Sequence, residues 1–265
     1  MLQWKRQPID MRSEMLNKTI QTQLDHRTIR FFKNQPIAAE TLTQLFEVMN
    51  RTATSSGLQT YSVMHITDQE LKNKIAEVCK QDYVKDIPVL LIFLVDVHRN
   101  AEIAKAKGYN SEKFRWMNHF FQGVADVYLA AQNLTNAVES IDLGAVFLGS
   151  VLNDAQKMVD ILNLPELTFP LVGMGFGYSN DAPELKPRMD LSQKIFENTY
   201  PKVEDYLSEI ADYDQAMTHY YDTRENNRRS DSFSDQVVSK FKTSPELRSK
   251  MLQVVAKQGF DLGLD

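Results

Sequence analysis

A single cysteine, Cys79, stands in 265 residues, which excludes an intramolecular disulfide and any cysteine-based metal site. Histidine is nearly as scarce. The five present, His26, His65, His98, His119 and His219, include no pair at metal-ligand spacing, so neither a zinc nor a non-haem iron centre is expected. No apolar run approaches the ~20 residues that cross a membrane. The longest, 88–95 (PVLLIFLV), has the length and branched content of a buried strand. Residues 1–8 (MLQWKRQP) lack the apolar stretch of roughly 7–15 residues that a secretory signal needs, and a cytoplasmic protein is expected. Positive charge is not in excess either, since 30 Lys+Arg against 35 Asp+Glu leave −5, which excludes a generally basic nucleic-acid binder. The nucleophile elbow Gly-x-Ser-x-Gly and the Walker loop Gly-x4-Gly-Lys are both missing, which disfavours serine hydrolysis and P-loop phosphoryl transfer.

What is present is ordinary globular material, 43% hydrophobic and 25% charged, long enough to bury roughly 70–75% of its unfolded surface. Met15, Leu16, Ile20 and Leu24 recur at helical spacing behind a possible Ser13 cap. A second helix is predicted over 37–51, a strand over 61–67, a helix over 68–80 and a doubly buried strand over 88–96. The longest element is predicted over 114–141, where Trp116, Phe120, Val124, Val127, Ala131, Leu134 and Val138 hold one apolar stripe. Phe121, Tyr128 and Ala137 widen that stripe; a second face against a partner subunit and a core helix of a monomer suit this pattern equally. A strand over 143–149, a helix over 154–162 and a strand over 167–178 follow. The segment 179–191, with Pro183 and Pro187, must be irregular. A helix over 203–221, a polar stretch over 222–235 and a final helix over 244–257 complete the reading.

Gly173-Met174-Gly175-Phe176-Gly177 has the look of a dinucleotide loop but lies in an extended run that opens no helix. Those glycines are read as strand positions of close backbone approach. Cys79, beside Val78 in a helical pattern, reads as a buried structural thiol. Two small basic clusters are the positive signals. His26-Arg27-Thr28-Ile29-Arg30 combines two guanidinium forks, an imidazole, a hydroxyl and backbone N–H groups, the donor set that a phosphate monoester needs. Lys186-Pro187-Arg188 is held extended by its proline, with Lys186 and Arg188 expected to point the same way.

The motifs His26–Phe32 (HRTIRFF), 53–59 (ATSSGLQ), 144–150 (GAVFLGS) and 183–189 (PELKPRM), in that order, resemble the nitroreductase superfamily over about residues 15–235. The similarity is closest to its NADPH-dependent branch of FMN-containing oxygen-insensitive nitroreductases and flavin reductases, and 220–229 (YYDTRENNRR) resembles that branch's arginine-bearing NADPH segment. The resemblance implies an α+β, nitroreductase-like fold: a central, mostly antiparallel sheet flanked by helices, with a long central helix, in an intertwined homodimer. It implies a domain over 15–265 behind an extension over 1–14, with 179–265 embracing the partner and carrying the NADPH segment.

It also implies one FMN per subunit. His26, Arg27, Thr28 and Arg188 would hold the phosphate, with Arg30 and Lys186 nearer the ribityl chain and pyrimidine edge. Ser55, Ser56 and Gln59 would come from the other subunit. Gln81 and Tyr83 match positions flanking the ring, and Phe147, Leu148, Gly149 and Ser150 would lie beneath it. Arg224 and Arg228 would grip the 2′-phosphate of NADPH. The chain departs from the family pattern in three places: Thr28 stands where serine is usual, Ser150 and Leu152 replace a glycine and an arginine, and the stretch from Arg224 to Arg228 is one residue short. The implied activity is hydride transfer from NADPH to FMN and on to nitroaromatics, quinones or free flavin by a ping-pong mechanism. Lys186 and Arg30 would be the catalytic cations, steadying negative charge as it develops. A rival reading is an FMN storage or sensor protein without significant turnover, which would have no use for the NADPH arginines.

Overall fold

The structure is a computed structural model that describes residues 17–224 and 232–264, without the side chains of 222–224. Its helices are α1 (Lys18–Leu24), α2 (Ala39–Asn50), α3 (Gln69–Cys79), α4 (His98–Ala106), α5 (Met117–Ser140), α6 (Ala155–Ile161), α7 (Tyr206–Glu209), α8 (Ala211–Arg224), α9 (Phe233–Lys242), α10 (Glu246–Ser249) and α11 (Met251–Lys257). Its strands are β1 (Tyr61–Ile66), β2 (Val89–Asp96), β3 (Gly144–Leu148) and β4 (Thr168–Gly177). The described residues pack as two compact units, one formed by those up to 27 with those of 184–244, the other by 28–183 with 245–264.

The larger unit is built on one sheet of order β1-β2-β4-β3 in which every pairing is antiparallel. Period-two geometry explains its layers. Along β2, Leu91, Phe93 and Val95 join α2 and α5 in one core, while Leu90, Ile92 and Leu94 join α3 and Met158 of α6 in a second. Both faces are therefore covered, and all eight residues of β2 are buried, as its unbroken apolar run requires. In α5 the residues Phe120, Val127, Ala131, Leu134 and Val138 face the sheet and are buried. Truncating one of the enclosed aromatics, Phe93 for instance, would cost about 3–5 kcal/mol. Gly175 lies where a Cβ would come within 2.6 Å of Ile87, so the glycines of β4 are positions of close approach, as read from the sequence.

Beside β3 runs a fifth, irregular segment. Thr28 bridges Ala145 in parallel, Ile29 N–H donates to the Ala145 carbonyl at 2.9 Å, and Phe32 bridges Ser179. Gly144 permits this, because a Cβ there would meet Ile29 at 2.5 Å. The C-terminal residues also return to this unit: Leu167 N–H donates to the Gln258 carbonyl at 2.6 Å, and Asp261 N–H to the Arg115 carbonyl at 2.8 Å.

In the smaller unit α8 and α9 pack through Tyr213 and Phe233, whose rings lie 5.1 Å apart. Asp214 also accepts from Ser234 N–H at 2.8 Å.

Several boundaries differ from the sequence expectation. The first described helix starts at Lys18 with Asn17 as its cap; Ser13 and the extension 1–14 lie outside the described residues. Trp116 precedes α5 and is exposed, because Glu112–Arg115 form a separate tight turn. The helix expected over 203–221 is two, since Asp205 caps a short α7 that stops at Ile210 before α8 begins. The one over 244–257 breaks at Lys250. Helix α4, and α9 with its Ser232 cap accepting from Asp235 N–H, had no place in the reading.

Candidate functional site

The residues singled out by sequence fall into three groups. The first gathers around β3 and the irregular segment beside it. Arg30 follows the segment hydrogen-bonded to Ala145 and reaches Tyr83, whose hydroxyl burial pushes up while the neighbouring guanidinium offsets part of that rise. Phe31 stacks against the same phenol at a tilt, with ring centroids 6.2 Å apart. Tyr83 lies in the tight turn Asp82–Asp86 that follows α3. Gln81 opens that turn: Lys80 takes the left-handed conformation that ends α3, which lets Gln81 N–H donate to the Ala76 carbonyl at 3.2 Å. Its side chain meets Ser150, whose hydroxyl donates to Gln81 Oε1 at 2.7 Å. Cys79 is buried behind this pair. Burial pushes its thiol up, and the Ser150 hydroxyl acts in the opposite direction.

Gly149 and Ser150 begin the turn Gly149–Asp154 after β3. That turn is held from two sides. Asn153 Nδ2 donates to the Cys79 carbonyl at 3.1 Å, and the Arg248 guanidinium donates to the Gly149 carbonyl. On its Cα side Gly149 is open, since a Cβ there would meet only Arg248 Nη2 at 3.9 Å. Phe147 is exposed beside it. Leu148 is buried in the core, so its backbone alone is available to a ligand.

The second group, Ser55, Ser56 and Gln59, sits in the loop before β1, at the opposite edge of the sheet. The structure does not bring it to the Arg30–Ser150 cluster within one chain; with strands about 4.8 Å apart, edges of a four-stranded sheet are about 14 Å apart. The loop is organised by Asp126 on α5, a fully buried carboxylate that sequence reading passed over. Oδ1 accepts from Ser55 N–H at 2.7 Å, and Oδ2 accepts from Thr60 N–H and Thr60 Oγ1, both at 2.9 Å. Ser56 and Gln59 have φ of 53° and 50°, left-handed values that non-glycine residues hold only when surroundings enforce them. The signal for Asp126 was available: a charge next to Val127 on the most apolar helix.

The third group belongs to the smaller unit. Lys186 Nζ lies 3.4 Å from the Tyr221 hydroxyl and 5.8 Å from that ring's centroid. Arg188 turns back on its own chain, donating from Nη1 to the Lys186 carbonyl at 3.0 Å and the Pro187 carbonyl at 3.3 Å. Its charge also reaches Tyr213, whose hydroxyl burial pushes up. Lys186 thus meets Tyr221 of α8, and the charge of Arg188 is felt by Tyr213 of the same helix. Arg27 Nη1 donates to the Asp25 carbonyl at 2.8 Å, and His26 precedes it at the end of this unit's first segment. Arg224 ends α8; Arg228 lies outside the described residues.

In this chain a basic motif runs beside an edge strand, a glycine turn leaves open space, and a Gln–Ser pair stands at its rim. The sequence model of the Nitroreductase family matches residues 24–178, and that of the Nitroreductase family, C-terminal domain, matches residues 186–263. The chain belongs to the nitroreductase family. The nitroreductase-like α+β fold expected from the motifs is the fold observed. Among its relatives is a protein named FMN reductase (NADPH) from Bacillus subtilis (strain 168), 32% identical over 249 residues that make up 93% of this chain and 99% of that protein. An NADPH-dependent oxidoreductase from Staphylococcus saprophyticus is 35% identical, over 89% of this chain and 95% of that one. The solved structure of NfrA1 nitroreductase from B. subtilis superposes with a TM-score of 0.86 at 31% identity, covering 91% of this nitroreductase-family chain and 98% of the other. The NADPH:FMN oxidoreductase from Vibrio harveyi complexed with NAD+ gives 0.82 at 31%, covering 92% and 99%. Among the described residues no helix is long and apolar enough to cross a membrane.

Proposed function

We propose that this chain is an NADPH-dependent FMN oxidoreductase that passes hydride equivalents to nitroaromatic, quinone or free-flavin acceptors in a ping-pong cycle. The observation that carries the proposal is the cluster along β3: Arg30, Tyr83, Gln81 and Ser150 rim a turn whose Gly149 leaves open space on its Cα side. A planar, hydrogen-bonding heteroaromatic fits that donor set, and the two forks and imidazole of 26–30 fit its phosphate. The relatives' names, FMN reductase (NADPH) and NADPH-dependent oxidoreductase, support the same reading.

Bound FMN would supply the two-electron carrier between NADPH and acceptor. The chain's own residues then have defined tasks. His26, Arg27, Thr28 and Arg188 hold phosphate. Lys186 and Arg30 place positive charge where negative charge accumulates, as preorganised charges do in other sites. Phe147 and Leu148, with Gly149 and Ser150, form the floor, and the exposed rings of Phe31 and Phe147 give planar acceptors an apolar surface. Arg224 and Arg228 read the 2′-phosphate that separates NADPH from NADH. Ser55, Ser56 and Gln59 serve the site of a second copy, since they occupy the far edge of their own sheet. Phe121, Tyr128 and Leu129 of α5, all exposed, supply the face for that homodimer. The enzyme works in the cytoplasm.

The test is direct. Purified protein is expected to be yellow, to elute as a dimer, and to bleach under anaerobic conditions on adding NADPH faster than on adding NADH. Reoxidation by a panel of acceptors should give parallel double-reciprocal plots. Yellow protein that NADPH does not bleach supports storage, and colourless protein that takes up no FMN rejects the flavin reading altogether.

A further inference from the structure

The hydrogen bond between Ser150 and Gln81 goes beyond holding a loop. The backbone of Gln81 is already committed: its N–H donates to Ala76 O at 3.2 Å, and its carbonyl accepts from Val84 N–H at 3.1 Å. Only the carboxamide remains to act on a ligand. A glutamine amide presents an acceptor and two donors at opposite ends, and rotation by a half turn exchanges them. Ser150 Oγ, 2.7 Å from Gln81 Oε1, donates to the acceptor end. With the acceptor end engaged by that bond, Nε2 and its two N–H groups are the free end of the carboxamide. The turn cannot drift, because Asn153 ties it to the end of α3 and Arg248 grips the Gly149 carbonyl.

We propose that Ser150 is a positioning residue that locks the Gln81 carboxamide with Nε2 as donor, pre-orienting it toward an acceptor atom on the edge of the bound flavin ring. The inference rests on the FMN reading above. A preset donor spares the ligand the loss of rotamer freedom that a swivelling amide would carry. Binding is where this would be felt first, since a neutral hydrogen bond of this kind changes affinity by about 3–10-fold.

FMN dissociation from the holoenzyme, read as fluorescence released on dilution, is measured for wild type, Ser150→Ala, Gln81→Ala and the double variant. Ser150→Ala is expected to weaken binding about 3–10-fold in the wild-type background and less than about 2-fold in the Gln81→Ala background. Ser150→Thr, which restores the hydroxyl, should return affinity to within about 2-fold of wild type. Ser150→Gly, which also removes the hydroxyl, should fold and bind like Ser150→Ala, which keeps the test valid if the alanine variant misfolds. Equal effects of Ser150→Ala in both backgrounds, or no effect in either, would overturn the positioning role while leaving the flavin reading intact. Wild-type protein that holds no FMN would overturn that reading and the inference with it.

Discussion

Replacing Asp126 is the most demanding test of how the far-edge loop is held. The carboxylate is fully buried and accepts three hydrogen bonds, from Ser55 N–H, Thr60 N–H and Thr60 Oγ1. Hydrogen bonds to a charged group are worth about 1.5–3 kcal/mol each, so three could reach about 4–9 kcal/mol. Taking the carboxylate out of water costs several kcal/mol in return. Asp126→Ala removes that cost but strands two backbone donors in a dry site, and the net loss is expected at about 3–5 kcal/mol. Asp126→Asn keeps the shape and one acceptor. Its amide would face at least one N–H donor, for an expected loss of about 1–3 kcal/mol.

The effect should be local as well as global. Arg99 still donates to the Gln59 carbonyl, and Asn100 Nδ2 to the Leu58 carbonyl at 2.9 Å, so the second half of the loop stays tethered while Ser55 and Ser56 are released. Ser56, at φ 53°, then relaxes, recovering about 1 kcal/mol. Urea unfolding gives the global number, and hydrogen exchange at the Ser55 and Thr60 amides gives the local one. The hydroxyl of Tyr61, pushed up first by burial and then by the charge of Asp126, should titrate at lower pH in the asparagine variant. A loss below about 1 kcal/mol in Asp126→Ala, or undiminished protection of both amides, would refute the clamp. If the loop serves a partner's flavin, FMN affinity falls in Asp126→Asn even while the fold survives.

Lys186→Ala should retain the fold, because the residue is exposed and its Nζ meets Tyr221 at the surface, yet slow anaerobic reduction by NADPH about ten-fold or more; unchanged stopped-flow kinetics would remove it from the proposed catalytic set. Arg224→Ala should raise KM for NADPH about ten-fold or more and leave NADH within about two-fold; equal changes would show that it does not read the 2′-phosphate. Burial raises the Cys79 thiol, with Ser150 opposing in part, so the folded chain keeps that proton to higher pH than the unfolded chain, whose cysteine titrates near 8.5. Its contribution to stability is therefore present below about pH 8.5 and lost as pH rises through the folded value. Thiol labelling of the native protein at pH 8 should be slower than that of a free cysteine and should track unfolding; rapid labelling would place Cys79 at the surface.

The sequence made the layers legible and the directions illegible. The unbroken run of β2 announced a strand covered on both faces, and the three- and four-residue spacing of α5 announced its helix, because burial writes itself directly into periodicity. Alternating strands and helices, however, suit a parallel sheet as well as the antiparallel one observed, and only the resemblance carried by four short motifs favoured the latter. Helix α4 was invisible since Ala101 is its one buried residue, leaving no stripe to read. Helix α9 did carry a signal, Ser232 followed three residues later by Asp235, a capping pattern, hidden inside a stretch that looked uniformly polar.

The site shows the same division for a different reason. Residue types that bind phosphate can be recognised in HRTIR, because the chemistry resides in those side chains. What orients the other motif residues resides in contacts distant in sequence, such as Asp126 with Ser55 or Ser150 with Gln81, and periodicity encodes none of these. The edge positions of β1 and β3 are the sharpest case. Both groups of motif residues were legible, but their separation by the full width of the sheet was not, and under the proposed function that separation assigns Ser55, Ser56 and Gln59 to the site of a second copy. A chain that binds FMN fully as a monomer, with Ser55, Ser56 and Gln59 silent to mutation, would contradict the dimer and leave the Arg30–Ser150 cluster as the whole of the site.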